Sequence, residues 1–118
     1  MARRYKFYAA ETGTAYQYFF SSCRQVVRPE GQGAGSDYIF VVTPDQRPPF
    51  ILRVFLSERA LDVWRQTHGR GLDSTEMYAA AKMRLFRAFD EIEGLRDDGL
   101  NLLVDESNVK ELLDPLGL

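Results

Sequence analysis

The spacing of apolar residues changes abruptly at Ser57, and this change constrains the fold more than any other feature of the chain. Before Ser57, aromatic and β-branched residues recur with the two-residue period of β-strands, over residues 5–27 and 37–56. After Ser57, apolar residues recur every three or four positions, which is typical of amphipathic helices. Strands followed by helices bury their apolar sides in two layers. The pattern therefore predicts an α+β fold.

Two hairpins and a late strand are predicted to form the sheet. In the first hairpin, residues 5–10 and 15–27 flank a Thr-Gly turn, and in the second, residues 37–43 and 50–56 flank a proline-rich turn. A short strand over residues 100–104 follows an Asp-Gly turn. We expect an antiparallel sheet of four to five strands.

Side chains that cap helices mark the start of each predicted helix. Ser57 precedes a helix of about three turns that ends at Gly69, and Asp73 with Glu76 has the spacing of a capping box. A terminal helix carries Val109 and ends near Pro115. We expect two or three helices, all packed on one face of the sheet.

The length of 118 residues allows one hydrophobic core, so residues 1–118 are predicted to form a single domain. A composition of 45% hydrophobic and 27% charged residues is that of a globular protein. Three glycines and a proline lie between the hairpins, and we expect a mobile loop over about residues 29–36. A phosphate-binding loop would need a helix directly behind it, whereas a strand follows here.

From Asp37 onward the order of elements has a counterpart in other proteins. The predicted order is a hairpin, the helix start Ser57-Glu58-Arg59-Ala60-Leu61, a second helix with Ala88-Phe89, and a strand after Asp98-Gly99. Over about residues 37–113 this order resembles a group of small bacterial domains of unknown function that run hairpin, Ser-x-x-Ala-Leu helix, second helix and Asp-Gly strand. The resemblance implies the same fold and brings no activity.

Charge is distributed unevenly along the chain although the formal net charge is only -2. Residues 1–70 carry more Lys and Arg than Asp and Glu, whereas residues 71–118 carry about twice as many acidic as basic residues. No apolar run is long enough for a membrane span, and no signal peptide is recognised at the start. We expect a cytoplasmic protein of bacterial type that does not contact membranes.

The first hairpin provides the main functional hypothesis. Its rings outnumber what a single core face can hold, and aromatic and arginine side chains dominate the energy of protein interfaces. The predicted contact residues are Arg3, Arg4, Tyr16, Tyr18, Phe20, Arg24 and Arg28. We expect a small non-catalytic binding or regulatory module that contacts another protein or a second copy of itself. The alternative is an accessory protein that contacts nucleic acid through the same basic aromatic surface.

Catalytic and metal-binding residues are sparse, so we predict no catalytic site, no metal site and no cofactor. Cys23 is the single cysteine and His68 the single histidine, and half-burial in a strand and capping of a helix end account for them. Turns and helix caps account for the carboxylates of Asp97, Asp98 and the pair 105–106. A small enzyme with an unrecognised site remains a second alternative.

The long predicted helix carries an apolar stripe with two possible uses. Core packing against the sheet is the first, and a groove for a partner peptide is the second. The stripe consists of Met77, Met83, Leu85, Phe86 and Phe89.

Overall fold

The structure is a computed structural model that describes residues 5–28, 31–96 and 102–118. Five strands and three helices follow one another, and a single turn of 3-10 helix closes the chain. In chain order they are β1 Lys6–Ala9, β2 Ala15–Arg28, β3 Gly33–Pro44, β4 Phe50–Ser57, α1 Glu58–His68, α2 Ser74–Glu91, β5 Leu102–Val104, α3 Val109–Leu113 and the 3-10 turn Asp114–Leu116. The predicted α+β class is confirmed.

The sheet keeps the order of the sequence, β1-β2-β3-β4-β5. The first four strands form an antiparallel meander, and β5 pairs with β4 in parallel. The sheet is therefore mostly antiparallel, as predicted, and only its last pair of strands is parallel. The chain crosses the sheet through α1 and α2 before it returns, and a helical crossover of this kind lets the next strand run in the same direction.

All three helices contribute to one hydrophobic core on a single face of the sheet, as predicted. Trp64 of α1, Leu85 and Phe89 of α2 and Leu112 of α3 are buried in the same cluster as the inward side chains of the strands. The stripe of α2 thus packs into this core, with Met77, Met83 and Phe86 partly buried against it.

Both predicted helix caps are present. The Ser57 side chain accepts a hydrogen bond of 3.1 Å from the backbone N–H of Ala60. At the start of α2, the Asp73 carboxylate accepts from the N–H of Glu76 at 2.8 Å, while the Glu76 carboxylate accepts from the N–H of Asp73 at 3.0 Å. The backbone N–H groups of Asp73 and Glu76, which have no acceptor within the helix, thus each find a carboxylate acceptor.

The glycine-rich segment differs from the predicted loop over 29–36. Gly33 already begins β3, where Gly35 pairs with Val26 on one side and Ser57 on the other. Residues 31 and 32 form a turn, and residues 29 and 30 lie outside the described residues. Glycine is required at position 35 for space, since a Cβ there would lie 2.6 Å from Cζ of Phe55. Of the late strand predicted over residues 100–104, β5 covers 102–104, and residues 97–101 lie outside the described residues.

A β-bulge in β2 changes which side chains share a face. The register with β3 shifts between Phe20 and Ser22. Beyond the bulge, Cys23 pairs with Tyr38 on the helix side, and Val26 pairs with Gly35 on the other side. A strict two-residue period would place Phe20 and Val26 on one face, but the bulge inserts one extra residue and puts them on opposite faces.

Candidate interaction surface

Tyr16 and Tyr18, two of the predicted contact residues, lie in the core against α2. Their exposed fractions are 1% and 3%, and the Tyr16 ring stacks on Phe89 with ring centroids 4.2 Å apart. Burial raises the pKa of Tyr18 to about 12, because the phenolate would lose its contact with water. A partner cannot reach either ring in the folded protein, so the prediction that they form a contact surface is wrong.

Phe20 and Arg24 lie on opposite faces of the sheet, although the sequence predicts a shared surface. Phe20 is 40% exposed, and its ring packs edge-on against Tyr78 of α2 at a centroid distance of 5.2 Å. Beyond the bulge, Arg24 lies opposite Asp37 in the register of β2 with β3, and its side chain is exposed on the other face of the sheet. Arg3 and Arg4 lie outside the described residues.

Arg28 forms an internal ion pair. Its guanidinium donates to the Asp37 carboxylate at 2.9 Å and lies over the Phe55 ring, 4.4 Å from the ring centroid. Asp37 is buried, so this pairing compensates a carboxylate that has lost most of its hydration. Arg28 therefore stabilises the sheet through this ion pair, while its side chain stays 25% exposed.

The face of the sheet that carries no helices, here called the helix-free face, presents an apolar patch. The register places Phe19, Val41 and Ile51 side by side across β2, β3 and β4. Phe7 on β1 is 74% exposed and Ile51 is 41% exposed. The apolar residues of this patch are Tyr5, Phe7, Phe19, Ile39, Val41 and Ile51. Tyr5, Phe7 and Ile51 are exposed, and Ile39 and Val41 are half-buried. Apolar side chains grouped in this way are typical of interaction sites.

Tyr5 and Phe19 stabilise the patch from within. The two rings meet edge to face with centroids 5.0 Å apart, and Phe19 is buried while Tyr5 stays exposed. Edge-to-face contacts of this kind contribute about 0.5–1.5 kcal/mol beyond the area that they bury. The patch therefore has a fixed aromatic centre with exposed residues on both sides.

The charges on the helix-free face are basic. Arg24 and Arg53 are exposed there, and the carboxylate of Asp37 is already held by Arg28. Carboxylates gather instead on the helix side, around a cleft of about 290 Å³ between α2 and the end of the chain, where Asp90, Glu91 and Glu111 contribute to its lining. Arg87 lines the same cleft and forms an ion pair of 2.8 Å with Glu111.

The sequence contains part of the signal for this surface. Phe7 alternates with Lys6 and Tyr8, so the two-residue period places it on the face opposite to Tyr8. Both faces of the first two strands carry rings, however, and the spacing does not tell which face the helices cover. Packing of α2 on Tyr8 and Tyr16 decides this, since it leaves Phe7 and Phe19 on the helix-free face.

The single histidine, His68, packs at the end of α1, and the single cysteine, Cys23, lies on β2. The His68 ring stacks on Trp64 with centroids 3.6 Å apart, and its Nδ1 lies 3.1 Å from the Trp64 carbonyl oxygen near the end of α1. Cys23 is an exposed free thiol on β2, so the prediction that it is half-buried is wrong. Burial raises the pKa of the neighbouring Tyr38 to about 12, and a hydrogen bond with Cys23 adds to this.

The acidic residues near β5 take part in local turns. The Asp105 carboxylate accepts a hydrogen bond of 2.9 Å from the N–H of Ser107, and Asn108 donates to the carbonyl of Leu103 at 2.9 Å. Among residues 5–28, 31–96 and 102–118, no group of three or more His, Cys, Asp and Glu side chains is arranged to hold a metal ion. Asp97 and Asp98 lie outside the described residues.

In the part of the chain that the structure describes, the fold and this surface define a small α+β domain whose sheet has helices on one face and none on the other. Comparison with protein-family models, with curated proteins and with solved structures finds no match to this chain. The resemblance over residues 37–113 stays a prediction. Within the described part of the chain, no helix is both long and apolar enough to span a bilayer.

Proposed function

We propose that this chain is a binding module that docks a partner protein on its helix-free face. The observation that carries the proposal is the row of Phe19, Val41 and Ile51 across three strands, with the exposed ring of Phe7 beside it. Aliphatic side chains at the centre of a patch fill apolar pockets of a protein partner, and the aromatic ring supplies an anchor.

The charges of the face suggest the chemistry of the partner. Arg24 and Arg53 border the apolar row, and the carboxylate of Asp37 on the same face is already paired with Arg28. A complementary surface has an apolar centre and carboxylates at its rim, because opposite charges at a rim speed association and orient the partner. The proposed setting is the cytoplasm, where the exposed thiol of Cys23 would stay reduced.

A comparison of two double variants tests the proposal. The face variant Phe7→Ser/Ile51→Ser removes two exposed apolar side chains from the helix-free face. The control variant Val63→Ser/Leu116→Ser removes two from α1 and from the end of the chain, at similar exposure for three of the four positions. Each protein is immobilised, lysate of the cells that make it is applied, and the captured proteins are identified by mass spectrometry.

We expect at least one protein to be captured by the wild type and by the control variant but not by the face variant. The purified partner should then bind the face variant about tenfold or more weakly, as removal of an interface anchor does. Thermal unfolding shows beforehand that both variants are folded. Capture of the same proteins by the wild type and the face variant would contradict the proposal.

A nucleic-acid contact is the second candidate function, because the exposed rings of Tyr5 and Phe7 share a face with Arg24 and Arg53. Rings stack on bases and arginines contact phosphates in single-strand binding proteins. The fluorescence anisotropy of a labelled oligothymidylate, titrated with the protein at low salt, distinguishes this nucleic-acid contact from the docking of a partner protein. Binding that weakens steeply with added salt and with Phe7→Ser supports this candidate, and absence of binding at low salt eliminates it.

A further inference from the structure

Three turns meet at one end of the sheet and border a polar cavity of about 470 Å³. They are the turn between β1 and β2, the turn between β3 and β4, and the segment that follows α2. The residues that line the cavity include Thr14, Asp45, Arg47 and Glu93. One guanidinium and two carboxylates therefore belong to the same cavity.

Backbone hydrogen bonds and burial hold the walls of the polar cavity in place. The N–H of Ala10 donates to the carbonyl of Thr14 at 2.9 Å, and the N–H of Asp45 donates to the carbonyl of Ala15 at 2.9 Å. The third wall contains Leu95, which is 2% exposed. Sites for small molecules are usually largely formed before the ligand binds, and walls held in this way meet that requirement.

The turn between β3 and β4 positions Arg47 at the polar cavity. The backbone N–H of Arg47 donates to the carbonyl of Pro44 at 3.1 Å. Within this turn Gln46 has a φ of 58°, a left-handed conformation that residues with a side chain rarely adopt. Burial raises the pKa of the Tyr16 phenol, whereas a hydrogen bond with Thr14 and the charge of Arg47 act in the opposite direction. Arg47 and Thr14 thus both lie near the Tyr16 phenol.

A second, apolar cavity of about 360 Å³ adjoins the polar one, since Pro44, Arg47 and Leu95 line both. The other residues that line it are Pro48, Pro49, Phe50 and Arg96. Proline rings and the half-buried Phe50 ring present rigid apolar surface. Each cavity has the size of a typical small-molecule site, so the pair can hold a ligand with one polar and one apolar part.

We propose that the two cavities bind a free amino acid with a large apolar side chain. The polar cavity receives the ammonium and carboxylate groups, and the apolar cavity receives the side chain. A ligand of one charge would be repelled either by Arg47 or by Asp45 and Glu93, whereas a zwitterion presents an opposite charge to each. A free amino acid carries both charges on neighbouring atoms, while a peptide carries them at its two ends.

This binding is independent of the proposed docking of a protein on the helix-free face. Neither Phe7 nor Ile51 is among the residues that line the two cavities. The face variant Phe7→Ser/Ile51→Ser should therefore bind the amino acid as the wild type does. Loss of docking and loss of amino-acid binding can thus be observed separately.

Isothermal titration calorimetry with four small molecules tests the class of ligand. L-phenylalanine or L-leucine should bind with a dissociation constant of about 1 mM or less, the range in which proteins bind small metabolites. Phenethylamine lacks the carboxylate and 3-phenylpropionate lacks the ammonium, so each should bind about tenfold or more weakly than L-phenylalanine. Absence of binding by both amino acids, or binding of either analogue as tight as that of L-phenylalanine, would overturn the proposal.

Variants of the charged residues test which side chain meets which group of the ligand. Arg47→Met should raise the dissociation constant of the bound amino acid about tenfold or more, and should leave that of phenethylamine unchanged, because this analogue has no carboxylate. Glu93→Gln should likewise weaken the amino acid but not 3-phenylpropionate. Arg53→Met, which changes an exposed arginine on the helix-free face, is the matched control and should have no effect.

Thermal unfolding without ligand shows beforehand that the three variants are folded. The amino acid should also raise the unfolding temperature of the wild type and of Arg53→Met, because it binds only the folded state. Equal affinity of the wild type and Arg47→Met for the amino acid, or an equal loss in Arg47→Met and Arg53→Met, would contradict the proposed site.

Discussion

The hydroxyl of Tyr8 donates a 2.6 Å hydrogen bond to the carboxylate of Asp90 and thereby fastens the short strand β1 to α2. The other carboxylate oxygen of Asp90 accepts from the backbone N–H of Glu11 at 3.0 Å. One side chain of α2 thus holds both the end of β1 and the turn that follows. The Tyr8 ring also stacks on Phe86, with centroids 4.4 Å apart.

Removal of this hydroxyl should weaken the attachment of β1. We expect Tyr8→Phe to lower the free energy of unfolding by about 1 kcal/mol, because the ring is kept and one hydrogen bond to a charged group in a partly exposed site is lost. Urea unfolding at pH 7 measures the change. Tyr5→Phe is the matched control, since it removes a hydroxyl from an exposed ring, and an equal loss in both variants would contradict the role of Asp90.

Stability should also decrease at alkaline pH. The pKa values of Tyr8, Tyr18 and Tyr38 are raised from 10.0 to about 12, in each case mainly by burial, which disfavours the phenolate. The raised pKa values contribute stability that is fully present below pH 10 and is lost as the pH rises through about 12. We expect the free energy of unfolding to fall between pH 10 and 12, and a flat profile there would contradict the burial of these rings.

The ion pair between Arg28 and Asp37 should matter more than an exposed arginine on the same strand. Arg28→Met leaves the buried Asp37 carboxylate without this partner. We expect a loss of about 2 kcal/mol, less than for a fully enclosed pair because the Arg28 side chain is 25% exposed. Arg24→Met, the matched control, should change stability by less than about 0.5 kcal/mol in the same urea unfolding experiment. Equal effects would place Arg28 among ordinary surface residues.

Gly35 should not tolerate a methyl group. A Cβ at this position would meet the carbonyl oxygen of Leu56 and would lie 2.6 Å from Cζ of Phe55. We expect Gly35→Ala to lower the free energy of unfolding by about 2 kcal/mol, since overpacking forces ring and backbone to shift. Gly71→Ala is the control, because the nearest atoms there belong to the side chain of Arg65, at 3.4 Å or more. A neutral Gly35→Ala would show that β3 and β4 adjust freely.

The capping box of α2 should make stability sensitive to acid. Hydrogen bonds from Arg70 and from the backbone N–H of Asp73 lower the pKa of Glu76 from 4.5 to about 2. The lowered pKa contributes stability that is present above pH 4.5 and is lost as the pH falls through about 2. We expect both Glu76→Gln and Arg70→Gln to flatten the profile of unfolding free energy between pH 4.5 and 2. An unchanged slope in both variants would contradict the ion pair.

Local features of the sequence predict much of the fold. The caps at Ser57 and Asp73 and the changes of period locate α1, α2 and four strands, because capping and amphipathicity depend on residues within one or two turns of each other. The glycine-rich segment misleads the prediction, since Gly35 serves a close approach of β4 rather than a loop. The bulge after Phe20 is also missed, since nothing in the local spacing marks it.

The candidate surface is predicted less well than the fold. The sequence identifies an excess of rings in the first hairpin, and Arg24 stays exposed as predicted. Tyr16 and Tyr18 are nevertheless buried, and Phe7 and Ile51, which the prediction does not include, are exposed. The difference arises because α2, distant in sequence, covers one of two similarly apolar faces.

By itself, the sequence determines the order of strands and helices, their caps, and the contrast between a basic first part and an acidic last part. The tertiary structure alone decides which face of the sheet the helices cover, that β5 runs parallel to β4, and that Arg28 is bound to Asp37. The physical reason is the range of the interactions. Caps and periodicity act between near neighbours, whereas the choice of a covered face depends on contacts between residues as far apart as Tyr8 and Asp90.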